Sequence, residues 1–257
     1  MQHLPKHARM SKSRISLFFK SLASSAPACR AEAFAPDLRY DLALSLGQAC
    51  VTRFQIDRIQ RERHFHRYRP VSSFFDSLAR DRGHQCMVDL VASNFALNTE
   101  DFDLKKDDQD RWRAYAPRLG MFFIHDFKFS TEDKEQCRTE MKKQAPNALR
   151  KYRYLGDKFI DILRGGHRLL LVLSDSSQIS ADTVEDLARA MRNVNRNVDF
   201  SILQVAFSDA DVKIVDHPDV IGISMDNSAA TDWTGVHAGY DEAFRNIYVR
   251  PSLDSGR

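Results

Sequence analysis

Leu169-Leu170-Leu171-Val172-Leu173 is the segment that most restricts what this chain can become. Aliphatic side chains in an unbroken row, with no polar alternation, describe a strand covered on both faces. Such a strand needs a layer of structure above and below its sheet, and in a single chain that layer is most readily helical. Leu42 to Leu46 reads as a second short apolar strand, closed by Gly47. Met121-Phe122-Phe123-Ile124 and Phe200 to Phe207 are further strands, with Lys213 to Asp216 and Val220 to Ser224 as shorter candidates.

Between these runs lie stretches with helical spacing. Ala49 to about Gln60 places Val51, Phe54, Ile56 and Ile59 on one side. A helix is expected from about Ser77 to Asn94, and another from Asn147 to Arg164, opening near Pro146 and stopped by Gly165-Gly166. Ser180-Ala181-Asp182-Thr183 opens a helix that reaches about Asn193. Glu100 to Asp110 reads as an acidic loop and Thr131 to Lys143 as a charged stretch. Trp233 to Arg250 reads as a loop, a short helix and an extended piece at Ile247 to Val249. Strands alternating with helices predict an α/β fold: a single domain over residues 37–257 with a mainly parallel central sheet flanked by helices.

Residues 1–36 have a different character. Lys6, Arg9, Lys12, Arg14, Lys20 and Arg30 face a single acid, Glu32, so a short, irregular, basic N-terminal tail is expected. Its apolar stretch Ile15 to Phe19 is cut by Lys20, a poor signal-peptide core. The formal charge of +3 gives no reason to expect nucleic acid as a partner. No apolar run is long enough to span a bilayer. Cys29, Cys50, Cys86 and Cys137 include no C-x-x-C pair, which argues against a zinc site, and four cysteines in a chain this long are no disulfide framework, so a reducing, cytoplasmic setting is expected. His64 and His66 have no cysteine or carboxylate at metal spacing, so no metal or other cofactor is expected.

In α/β sheets the functional groups gather beyond the carboxyl ends of the strands. Two candidates stand there. Cys50 follows Leu42 to Leu46 at the start of a helix, where the helix dipole and unpaired amide hydrogens favour a thiolate. His125 follows Met121 to Ile124 and is the natural base for a cysteine nucleophile. Gly47 and the turn around it offer backbone donors to an oxyanion, and Gln48 could add a side-chain amide. Asp126 could orient a ring or bind substrate, although on an extended strand it points away from its neighbour His125. Trp233, His237, Tyr240 and Asp241 could line a pocket, with His237 as a rival base.

Taken in order, Ser45-Leu46-Gly47-Gln48-Ala49-Cys50, Phe74-Phe75-Asp76 and His125-Asp126-Phe127 resemble the motifs of a bacterial family of uncharacterised proteins, the putative papain-like cysteine peptidases. Arg153 and the strand Leu169 to Leu173 follow in matching order, and the resemblance covers roughly residues 40–210. It implies Cys50 as nucleophile, His125 as base and, as an alternative fold, a papain-like α+β arrangement. The family commonly has Asn before the cysteine, where this chain has Ala49, and Trp after the aspartate, where it has Ser77. The expected activity is that of a thiol hydrolase or acyl transferase on a peptide, acyl or glycan substrate. The alternative is a sugar- or nucleotide-binding protein, in which Asp76, His125, Asp126 and Arg153 hold a ligand and Cys50 only packs. The distance between the Cys50 sulfur and the nearest imidazole separates the two.

Overall fold

The aliphatic run does lie inside a parallel sheet with helices on both faces. The computed structural model describes residues 38–47, 49–64, 71–81, 83–175, 177–207, 211–226, 228 and 236–250, all within one compact unit, Ala35–Arg257. Along the chain its elements are β1 (Leu38–Tyr40), β2 (Leu42–Ser45), α1 (Ala49–His64), β3 (Leu78–Arg80), α2 (Gln85–Ala92), β4 (Asp103–Lys106), β5 (Trp112–Ala116), β6 (Met121–Phe123) and α3 (Lys134–Arg164). They continue with β7 (Arg168–Asp175), α4 (Ala181–Val194), β8 (Asp199–Phe207), β9 (Val220–Met225), α5 (His237–Phe244) and β10 (Ile247–Val249). The expected tail, residues 1–36, lies outside the described residues, as do His66 and Trp233.

Strands β2, β7, β8 and β9 form the parallel sheet in that order, with Leu44 beside Leu171 and Leu171 beside Ile202. Leu169, Leu171 and Leu173 pack into one core with Phe159 of α3 and Leu187 of α4. Leu170 and Val172 pack into the opposite core with Ile56 and Ile59 of α1 and Tyr240 and Phe244 of α5. Every residue of the run is therefore buried, as its composition requires. A parallel pair, β1 with β10, joins the two ends of the described chain.

The parallel sheet is not the only one. Residues 78–123 build a four-stranded antiparallel sheet, ordered β3-β6-β5-β4, inserted between α1 and α3. The fold is thus mixed α/β with five described α-helices. The helix expected over Ser77 to Asn94 is instead β3 and the shorter α2, with Gly83 at positive φ (+33°) between them. The expected acidic loop contains β4, an edge strand whose polar sequence, Asp-Leu-Lys-Lys, suits a sheet border. Lys213 to Asp216 is not a strand, because the Gln204 side chain takes its backbone groups: Nε2 donates to the Lys213 carbonyl (2.9 Å) and Oε1 accepts from Val215 N–H (2.8 Å).

Helix α3 does not open at Pro146. It begins at Lys134, where Asp133 accepts a hydrogen bond from Gln136 N–H (2.9 Å), and runs on through the proline. Cys137, Met141, Ala145, Ala148, Tyr152, Leu155 and Phe159 form one unbroken buried stripe across that point. Pro146 and Lys142 are exposed, so water can reach the carbonyl that the proline leaves without a partner. No helix among the described residues is long and apolar enough to cross a membrane.

Candidate active site

Strand β2 delivers the chain to a short turn, and Cys50 stands in the first turn of α1, beyond the strand's carboxyl end. That turn is clamped from three directions. The Ser45 carbonyl accepts from the Ser73 hydroxyl (2.8 Å), and the Leu46 carbonyl accepts from the Arg80 guanidinium of β3 (2.9 Å). Leu46 N–H donates to the Val172 carbonyl of β7 (2.8 Å), while Gly47 N–H donates to the Ser45 hydroxyl (3.1 Å). Gly47 is buried, and a Cβ at this position would overlap the Thr52 hydroxyl one turn into α1. Only glycine lets strand and helix come this close.

His125 reaches the same place from the antiparallel sheet. It sits in the turn just after β6, exposed, between the buried anchors Phe123 and Phe127. Phe123 packs edge-on against Phe102 (ring centroids 4.8 Å apart) and Tyr152 of α3 (4.9 Å), which fixes the end of β6. The outcome is a direct contact: Cys50 Sγ lies 3.0 Å from His125 Nε2. With the imidazole proton on Nδ1, the thiol donates to Nε2. Among the described residues His125 Nδ1 has no hydrogen-bond partner, so they add no third member to the Cys50–His125 pair.

Asp126 turns away from the ring. Its carboxylate accepts from Lys151 Nζ (2.6 Å) and from the Tyr152 hydroxyl (2.5 Å), both on α3. It braces the His125 turn against that helix and does not orient the imidazole. Burial, followed by the Asp126 charge and hydrogen bond, pushes the Tyr152 hydroxyl far above its ordinary pKa, so it remains a donor.

Asp76 closes the floor beside the thiol. Ser73 and Asp76 cap one another in a short 3₁₀ turn, Phe74–Ser77, with Asp76 Oδ2 accepting from Ser73 N–H (2.8 Å). The same oxygen lies 3.0 Å from Arg53 Nη1, one turn along α1 from Cys50, and Arg53 also donates to the Val71 carbonyl. Asp76 Oδ1 is buried without a partner. Burial outweighs the attraction of Arg53 and raises this carboxyl to about 6. The Cys50 thiol is likewise raised, first by burial and then by the Asp76 charge, with Lys151 pulling the other way. The helix start alone favours a thiolate; its surroundings oppose one.

The other sequence candidates separate. Gln48 lies outside the described residues. Arg153 is exposed on α3 and lines a different cavity, of about 270 Å³, with Leu97 and Asn98. His237 opens α5, its ring 5.9 Å from that of Phe54, and it is not the imidazole at the thiol. Ser45, Ser73, Arg80, Lys151 and Tyr152 were not among the candidates, yet all shape the site. Ser73-Phe74-Phe75-Asp76 carries a readable capping signal. Nothing local marks Arg80, whose acceptor is 34 residues away. Among the described residues no group of three or more His, Cys, Asp or Glu is placed to hold a metal ion.

No protein-family model, curated protein or solved structure matches the chain.

Proposed function

We propose that this protein is a cysteine-dependent hydrolase or acyl transferase, with Cys50 as nucleophile and His125 as base. The observation that carries the reading is the 3.0 Å contact between Cys50 Sγ and His125 Nε2, made by groups 75 residues apart. A cysteine that only packs has no need of an exposed imidazole at hydrogen-bond distance. The rival reading, a sugar- or nucleotide-binding protein, draws no support from the same geometry. Its ligand set is dispersed, with Arg153 at another cavity and Asp126 held by Lys151 and Tyr152.

Burial and the Asp76 charge both favour the thiol form of Cys50 at rest. On attack the Sγ proton passes to Nε2 as the sulfur bonds to the substrate carbonyl carbon. The amide hydrogens of the first turn of α1, which have no acceptor within the helix, face the developing oxyanion. His125 then returns the proton to the leaving group as the carbon–leaving-group bond breaks. Water or a second acceptor releases the thioester and regenerates the thiol. The motif resemblance to putative papain-like cysteine peptidases agrees with this reading and suggests a peptide or related acyl substrate. A cysteine opening a helix against a histidine carried by an antiparallel sheet is also the papain-like division of labour, here combined with a parallel sheet.

Iodoacetamide labelling of the full chain near neutral pH, followed by peptide mass mapping, tests the nucleophile. Cys50 should react at least about tenfold faster than Cys86, which burial raises to about 11, or Cys137. His125→Ala should remove most of that advantage. Equal rates at Cys50, Cys86 and Cys137 in the folded protein would sink the proposal.

A further inference from the structure

The outer face of the antiparallel sheet leads to His125. A cavity of about 520 Å³ is lined by His125 and by Ile124, Arg111, Arg113 and Lys128 among others. A second, of about 570 Å³, continues over β6 and shares Ile124, Arg111 and Arg113 with the first. Together they form one groove whose floor, Phe122 and Ile124, is apolar and half-buried. Each half falls within the size that commonly holds a small ligand, and the pair has room for several residues of an extended chain.

Charge gives the groove a direction. Asp107 is the common partner of both guanidiniums, 2.9 Å from Arg113 Nε and 3.0 Å from Arg111 Nη2. Asp81 and Asp108 also line the far half, beside Arg80 and Lys106, so charge is close to balanced there. Lys128 adds a third cation at the end beside His125, and its ammonium has no ion-pair partner among the described residues. Glu132 is the one carboxylate lining that end. The loop carrying Lys128 is fixed, since its N–H donates to Gln144 Oε1 of α3 (2.9 Å) and its carbonyl accepts from Gln144 Nε2 (2.7 Å). The backbone that carries Lys128 is therefore held in place, at the cavity that His125 also lines.

We propose that this groove binds an extended peptide substrate, and that Arg111 and Lys128 select an acidic side chain beside His125. The inference rests on the thiol-hydrolase reading above and names its substrate class. In the half that His125 lines, an apolar floor meets a cationic wall, which suits a peptide with an acidic residue next to apolar ones.

The test uses three peptidyl chloromethyl ketones of the full chain's Cys50, identical except for one Glu, Gln or Lys. Each alkylates Cys50 by forming a sulfur–carbon bond and expelling chloride, and the rate is read by intact mass. The Glu probe should react at least about tenfold faster than the Lys probe, with the ratio shrinking as salt rises. Arg111→Gln combined with Lys128→Gln should bring the ratio close to one, whereas Arg150→Gln, exposed on α3 and outside the groove lining, should keep it. Circular dichroism checks the fold, and if the double variant unfolds, the wild-type ratio and its salt dependence decide. Equal or reversed rates, with normal iodoacetamide labelling of Cys50, overturn the groove and leave the nucleophile standing. Failure of iodoacetamide to single out Cys50 overturns both.

Discussion

Cys50 is set between two charges of opposite sign. The Asp76 carboxylate raises its thiol and the Lys151 ammonium lowers it, so neutralising either should move reactivity in opposite directions. Asp76→Asn should speed alkylation of Cys50 at pH 7, and Lys151→Gln should slow it, each measured as a pseudo-first-order rate. Asp76 also leaves a mark on stability. Its carboxyl is raised in the folded state to about 6 from an ordinary 3.8, so the native protein binds the proton more tightly than the unfolded chain does. Stability attributable to this group is thus fullest below about pH 4 and is lost as pH rises through about 6. The full loss is at most about 3 kcal/mol, from the free-energy equivalent of a pKa difference. Urea unfolding of wild type and Asp76→Asn between pH 4 and 7 should show the variant gaining, relative to wild type, across that window. A difference that stays flat with pH would mean that the carboxylate is not desolvated.

At the scale of elements, the junction of β2 and α1 depends on the absence of a side chain at Gly47 and on donors from β3 and the 3₁₀ turn. Gly47→Ala forces a methyl group into the Thr52 hydroxyl, so either the strand or the start of the helix must shift. Overpacking of this kind costs about 1–3 kcal/mol. Thermal unfolding should register that loss, and the Cys50 labelling rate should fall by more than the unfolded fraction explains. The junction was partly legible. Gly47 closes an apolar strand and Cys50 follows it at a helix start, both local signals. Of the antiparallel strands β6 was legible, as the apolar run from Met121, but β3 was not, with only three residues, nor was β4, which reads Asp-Leu-Lys-Lys. Strands this short are stabilised by pairing with neighbours, and sequence periodicity needs more residues to register. Pro146 misled for the opposite reason: the buried stripe from Cys137 to Phe159 overrides one unfavourable residue on the exposed side.

At the scale of the whole molecule, the site belongs to neither sheet alone. The parallel sheet holds Cys50, the antiparallel insertion holds His125, and α3 braces the second through Asp126 while filling the core beneath the first. Leu171→Ala, at the centre of the parallel sheet and fully buried, should lower stability by about 2–5 kcal/mol in urea unfolding. In the fraction still folded, Cys50 should keep most of its labelling rate, since Leu171 belongs to the core shared with α3 and α4, of which neither Cys50 nor His125 is a part. An abrupt loss of reactivity in the folded fraction would show that the sheet and the dyad are more tightly coupled than the geometry implies.

The sequence by itself determined the layered α/β core, because an unbroken aliphatic strand can be stable only when covered on both sides. It also determined where a candidate nucleophilic cysteine and a candidate histidine base would sit along the chain, because strand ends and helix starts are written in local patterns. The tertiary structure alone decided that these two residues meet and that Asp76, Lys151 and Arg80 do the positioning. A 3.0 Å contact between residues 75 apart depends on how the intervening chain packs. Side-chain direction at a turn, desolvation and the pairing of three-residue strands are properties of that packing, and no local pattern encodes them.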